Sequence, residues 1–175
     1  MIRSHLIRIL QGLNENTDVV NQTINQEDSK MSHENEEIIA SKNRALALEV
    51  LQTVGTERNY ELMADDIVIE FPYGPSLGMP DRFEGKETVV TYLRQMAEQL
   101  KGLKMKDITV HSVAGNPDMV FAEYKGDAPT PGGGFYTQIY NNRLTFRDGL
   151  MTSMREFWDP KRIVDALNGR FDGNV

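Results

Sequence analysis

The 175-residue sequence contains no cysteine. That excludes disulfides, thiol nucleophiles and thiolate metal sites together. Histidine is scarce: His5, His33 and His111 stand far apart, with no His-x-x-x-His pair and no facial carboxylate spacing. No metal site is therefore expected, and His111 reads as an exposed strand residue. No apolar run reaches the length of a membrane span. Positive charge is in deficit, and the formal net charge is -7. An acidic surface repels phosphate backbones and anionic lipid, so neither nucleic acid nor a membrane is an expected partner. The lack of cysteine suits a cytoplasmic protein, and that is the expected location.

What is present divides into three parts. The opening Met1–Leu10 is basic and apolar, but Arg8 breaks its apolar run and no small-residue cleavage site follows, so it is not read as a signal peptide. From Gln11 to Lys30 the chain is mostly Asn, Gln, Glu and Asp, too polar to offset its own ordering entropy. Residues 1–33 are expected to be a disordered leader or to reflect a misassigned start, Met31 being a second candidate start. Residues 34–168 are expected to be one domain and 169–175 a tail.

Within the domain, Ile38, Ile39, Ala45, Leu46, Leu48, Val50 and Leu51 draw an apolar helical stripe that Gly55 ends. Thr56 caps a short second helix through Met63, and Asp65-Asp66 reads as the turn after it. Ile67–Phe71 is β-branched and predicts a strand. Tyr73–Arg82 is a loop rich in Gly and Pro, and residues 85–102 form a third helix. Strands follow at 104–114, 119–125, 136–147 and 150–158. Gly115–Asp118 and Asp148-Gly149 are the turns, and 127–134 is a flexible loop. The triple glycine 132–134 lacks the strand-before and helix-after order of a dinucleotide site. It is expected at a pocket mouth. Pro160 opens a terminal helix through Leu167. Helices followed by an antiparallel meander imply α+β, with helices on the concave face of a curved sheet. Such a cone encloses a pocket at its open end.

Three segments carry a family resemblance. Ala64–Gly74 resembles the first strand of ketosteroid isomerases. Phe83-Glu84-Gly85-Lys86-Glu87 before a helix resembles the SnoaL-like group. Ser153–Pro160, with its Arg-Glu-Phe run, is similar to the final strand of phenazine-biosynthesis A/B proteins. The resemblance spans about residues 34–167 and implies a cone of the nuclear transport factor 2-like, cystatin-like kind. That superfold hosts isomerases, cyclases, epoxide hydrolases and pure binding modules, so it does not settle function.

The resemblance also implies site residues. The isomerase base position holds Phe71, the donor tyrosine position holds Ala47, and the protonated aspartic acid position holds Asn142. Steroid-type isomerisation is therefore not expected. The phenazine-type acid–base glutamate matches Glu156, while the accompanying helix histidine and serine match Tyr92 and Met96. On the last strand Met154, Glu156 and Trp158 share one face, and Arg155 and Phe157 the other. A carboxylate between Met and Trp is costly to bury, and burial would raise its pKa toward neutrality. The bland alternative is a rim carboxylate paired with Arg155 or Arg143. The expectation is a cofactor-free enzyme on a small carbonyl or cyclic compound, with Glu156 catalytic. Asn142, Gln138, Tyr92, Phe71, Trp158 and Met154 are the expected substrate-binding residues. A non-catalytic ligand-binding module and an interaction module of the same fold stay open. The implied partners are a small apolar or cyclic ligand and a second copy of the chain, paired through the sheet.

Overall fold

A computed structural model describes residue 26 and residues 30–130 and 133–167. The chain divides into two compact units, 1–38 and 39–175, and the architecture below is that of the second. Most of the expected leader and all of the expected tail lie outside the described residues.

The domain begins in a helix, α1, over residues 39–52. Its apolar stripe buries Ala47, Val50 and Leu51 completely or nearly so. Helix α2 (Glu57–Glu61) is capped by Thr56, whose hydroxyl accepts from the Asn59 amide. It is shorter than the sequence predicts. Met63 already pairs with Met151 across the sheet, and the Met151 amide donates to the Leu62 carbonyl at 2.8 Å. Strand β1 therefore runs Met63–Glu70 and contains Asp65 and Asp66, which are not a turn. Both are exposed, and Arg147 holds Asp66 at 2.8 Å. The two aspartates sit at an irregularity in the β1/β6 register, between the pairs Met63 with Met151 and Val68 with Ser153, which hold the strand on either side of them despite the poor strand propensity of aspartate.

Strand β2 (Arg82–Glu84) follows the short 3-10 turn Gly74–Leu77 and pairs antiparallel with β1. Helix α3 (Lys86–Gln99) leads into the meander β3 (Lys104–Val113), β4 (Asn116–Pro129), β5 (Phe135–Arg147) and β6 (Leu150–Trp158). Helix α4 (Pro160–Leu167) ends the described chain. Strand β4 is longer than expected, because residues 127–129 pair with 135–137 instead of looping. Pro129 is its last residue, where a missing N–H costs the ladder little. The Asp148-Gly149 hairpin is as expected: both residues have positive φ, the geometry of a tight primed turn.

The six-stranded sheet has the order β2-β1-β6-β5-β4-β3. The meander β3 to β6 is antiparallel as expected, β1 pairs antiparallel with β2, and β1 and β6 pair in parallel. Register shifts interrupt β3/β4 and β5/β6; such bulges bend a sheet. The inner face alternates on β5, where Tyr136, Gln138, Tyr140, Asn142, Leu144 and Phe146 are all buried. The helices cover that face, and the core joins α1, α2, α3 and the inner faces of β1, β4, β5 and β6.

Candidate active site

The helices do not fill the sheet's concavity. A cavity of about 340 Å³ remains between α1, α3 and the sheet. Its wall is mostly apolar and rich in aromatics and methionine, including Phe71, Tyr92, Tyr124, Tyr140, Met154 and Trp158. The size lies at the small end of the range for ligand sites.

Glu156 stands on that wall. Cross-strand register places Ala122, Asn142 and Glu156 in one row over β4, β5 and β6, with Tyr124, Tyr140 and Trp158 in the next. This brings three polar groups together. The Tyr124 hydroxyl donates to Glu156 Oε2 at 2.7 Å. Asn142 Nδ2 donates to the same oxygen at 3.1 Å and to the Tyr124 hydroxyl at 2.7 Å. Tyr124 is held by stacking on Tyr140, with centroids 4.9 Å apart, and Tyr140 shares a 3.0 Å hydrogen bond with the Tyr136 hydroxyl.

Glu156 Oε1 has no protein partner among the described residues, yet it is not one of the sealed, unpaired atoms; it opens to the cavity. As a residue Glu156 is half-buried, because solvent reaches it through the cavity, while dense protein surrounds it on other sides. Desolvation raises its carboxyl above the ordinary value, and the hydrogen bonds from Tyr124 and Asn142 pull it partly back. No Lys, Arg or His among the described residues forms an ion pair with it. Arg155 instead leans towards Glu70 at 3.9 Å on the outer face, over the Phe157 ring.

The other expected residues divide. Tyr92, Phe71, Met154 and Trp158 line the cavity with Glu156. Tyr92 stacks on Phe83 at 4.1 Å and touches Phe71 at 5.5 Å. Its hydroxyl makes no hydrogen bond among the described residues, and burial raises its pKa, so it stays a proton donor. Asn142 lies behind the wall, fully buried, and reaches the site through Glu156. Gln138 does not line the cavity. Its Nε2 donates to the Asp159 carbonyl at 2.9 Å, and its Oε1 accepts from the amides of Ile139 and Asp159. The side chain is spent on joining β5 to the start of α4. Sequence reading missed Tyr124, Tyr136 and Tyr140. The signal was present: Val120, Ala122, Tyr124, Gly126 and Ala128 alternate on β4, and all are buried. Among the described residues no group of three or more His, Asp or Glu side chains could hold a metal ion. No described helix is long and apolar enough to cross a membrane.

A curved sheet with helices over a cavity is a fold of the nuclear transport factor 2-like class. Residues 48–154 match the SnoaL-like domain, and the chain belongs to that family. An uncharacterised PhzA/B-like protein of Pseudomonas aeruginosa is 37% identical over 110 residues, 62% of this chain and 76% of its own length. A solved phenazine biosynthesis-related protein from Pseudomonas aeruginosa superposes with a TM-score of 0.68 at 21% identity, covering 78% of this chain and 91% of that one. A candidate isomerase from Bacillus subtilis superposes at 0.63 with 29% identity, covering 78% and 98%.

Proposed function

We propose that the domain is a cofactor-independent acid–base enzyme acting on a small neutral carbonyl or cyclic compound. The observation that carries this reading is Glu156: a desolvated carboxylate with one oxygen clamped and the other open to a largely apolar cavity, with no ion pair to a cation among the described residues. A raised carboxyl is suited to take and return protons near neutral pH. In the proposed reaction Oε1 takes a proton from carbon beside a carbonyl, and the C–H electron pair passes into the enolate. The Tyr92 hydroxyl donates a hydrogen bond to the enolate oxygen. Glu156 then returns the proton to the same or a conjugated carbon, which completes an isomerisation with no net change in atoms. The kinship with a PhzA/B-like protein and a candidate isomerase agrees with this class of chemistry.

The test is deuterium uptake at the α-carbons of small cyclic ketones, 2-tetralone first, followed by proton NMR in heavy water. Exchange is expected above the buffer rate with the native protein and at the buffer rate with Glu156→Gln. Equal exchange in both proteins, or none above buffer with the native one, would leave a binding module as the better reading.

A further inference from the structure

Asn59 is 3% exposed, and it stands on the cavity wall. A buried side-chain amide has two ends to satisfy, a donor and an acceptor. The donor end is committed: Nδ2 donates to the Val50 carbonyl at 2.7 Å. That carbonyl lies in the last turn of α1, where helix carbonyls lack partners within the helix. The same bond fixes which way the amide points, since an oxygen turned towards the carbonyl would be repelled. The acceptor end is left over. Asn59 Oδ1 has no hydrogen-bond partner among the described residues, yet it is not one of the sealed, unpaired atoms. It is open, and on a residue this buried the opening is to the cavity.

The helices offer this oxygen little. The cavity-lining residues of α1 are Val50 and Leu51, and α3 adds Leu93, Met96 and Ala97. None of these side chains can donate a hydrogen bond. Glu98 and Lys101, towards the end of α3, also line the cavity but are exposed. A bound molecule that brings an O–H or N–H group satisfies the open acceptor. One that displaces water without bringing a donor leaves it unpaired and loses affinity.

We propose that Asn59 is a specificity-determining residue whose Oδ1 accepts a hydrogen bond from the substrate. The substrate class then narrows to ring ketones that carry a hydroxyl or amino group away from the reacting carbonyl. This rests on the acid–base reading of Glu156 and divides the work between two open acceptors. Glu156 Oε1, on the sheet, takes the carbon-bound proton. Asn59 Oδ1, on the helical layer, holds a polar group that does not react. A neutral amide suits that task, because it accepts a hydrogen bond without taking the proton for itself. The donor bond to Val50 holds the acceptor in place before the ligand arrives, so little ordering is left to offset the gain on binding.

The experiment is calorimetric binding of 6-hydroxy-2-tetralone, 7-hydroxy-2-tetralone and their methyl ethers to the native protein, Asn59→Leu and Glu156→Gln. In the native protein at least one hydroxy ketone is expected to bind about tenfold tighter than its own methyl ether, the scale of one hydrogen bond to a buried acceptor. That preference is expected to vanish in Asn59→Leu and to survive in Glu156→Gln. Asn59→Leu also unpairs the Val50 carbonyl, so the measure is the ratio of two ligands in one protein. If that variant does not fold, the native protein labelled with ¹³C at asparagine side-chain carbonyls decides. The Asn59 signal should move downfield with the hydroxy ketone and not with its ether. No preference in the native protein, water alone then serving the acceptor, overturns the proposal. So does a preference that survives in folded Asn59→Leu, one that is lost in Glu156→Gln, or an Asn59 signal that does not tell the two ligands apart. Turnover plays no part in the measurement. An Asn59-dependent preference without ketone exchange would sink the catalytic reading and keep the subsite, and exchange without the preference would do the reverse.

Discussion

At the scale of the residue, Glu156 is where stability and chemistry pull in opposite directions. Its folded-state pKa is raised, so the native state binds this proton more tightly than the unfolded chain does. The stabilisation is fully present below the unfolded glutamate value and is lost as pH rises through the folded value. At neutral pH the carboxylate is thus a burden on the fold. Glu156→Gln is expected to melt above the native protein at pH 7.5, by about 2–4 °C for each kcal/mol relieved, with the gap closing towards pH 4. Calorimetry at both pH values checks it, and a variant less stable at pH 7.5 would mean that the carboxylate is needed for structure. Glu156 itself was legible in the sequence, since a glutamate between Met154 and Trp158 on an apolar face is an expensive pattern. The inward face of Tyr124 was legible in the β4 alternation, but its pairing with Glu156 was not. Finding it required the β4/β5/β6 register, and register depends on bulges that no local pattern announces.

At the scale of the element, the junction of β6 with α4 hangs on Gln138. One buried amide satisfies the Asp159 carbonyl and the amides of Ile139 and Asp159. Trp158 and Ile163, on either side of that junction, both line the cavity. Gln138→Leu keeps the bulk and removes all three bonds. It is expected to cost about 1–3 kcal/mol, the penalty for leaving backbone groups unpaired. The measure is the urea midpoint at unchanged slope, and an unchanged midpoint would show that water replaces the side chain at no cost. Elements were legible where periodicity was strong, as on α3, β5 and β6. They were misread where tertiary pairing overruled local preference. Asp65 and Asp66 lie in a strand because the residues on either side, Met63 and Val68, pair with β6. Residues 127–129 extend β4 because β5 is long enough to pair with them. Gly126 belongs to the same lesson: a Cβ there would lie 2.8 Å from the Tyr140 ring, so this glycine inside β4 makes room for a cavity-wall aromatic.

At the scale of the whole domain, the cavity is volume that the core leaves unfilled. Nineteen of the described residues form the main buried cluster around it, and close packing is the norm for protein interiors. A domain selected only for stability would place larger side chains along α3, yet Ala97 on the cavity wall is small. Keeping the space open has a stability cost, the usual trade between stability and function at binding sites. Ala97→Leu tests this directly. Leucine suits the helix and adds three carbons to the apolar wall, at about 0.8 kcal/mol per buried CH₂. A gain of about 2 kcal/mol is expected, seen as a melting point higher by roughly 4–8 °C. The same variant should lose affinity for a small ring probe such as 2-naphthol, followed by its fluorescence, at least tenfold. A rise in melting point together with lost binding would identify the cavity as space held open for a ligand. A fall in melting point with binding intact would mean that the volume beside Ala97 is already committed to packing, with the ligand path running elsewhere along the wall.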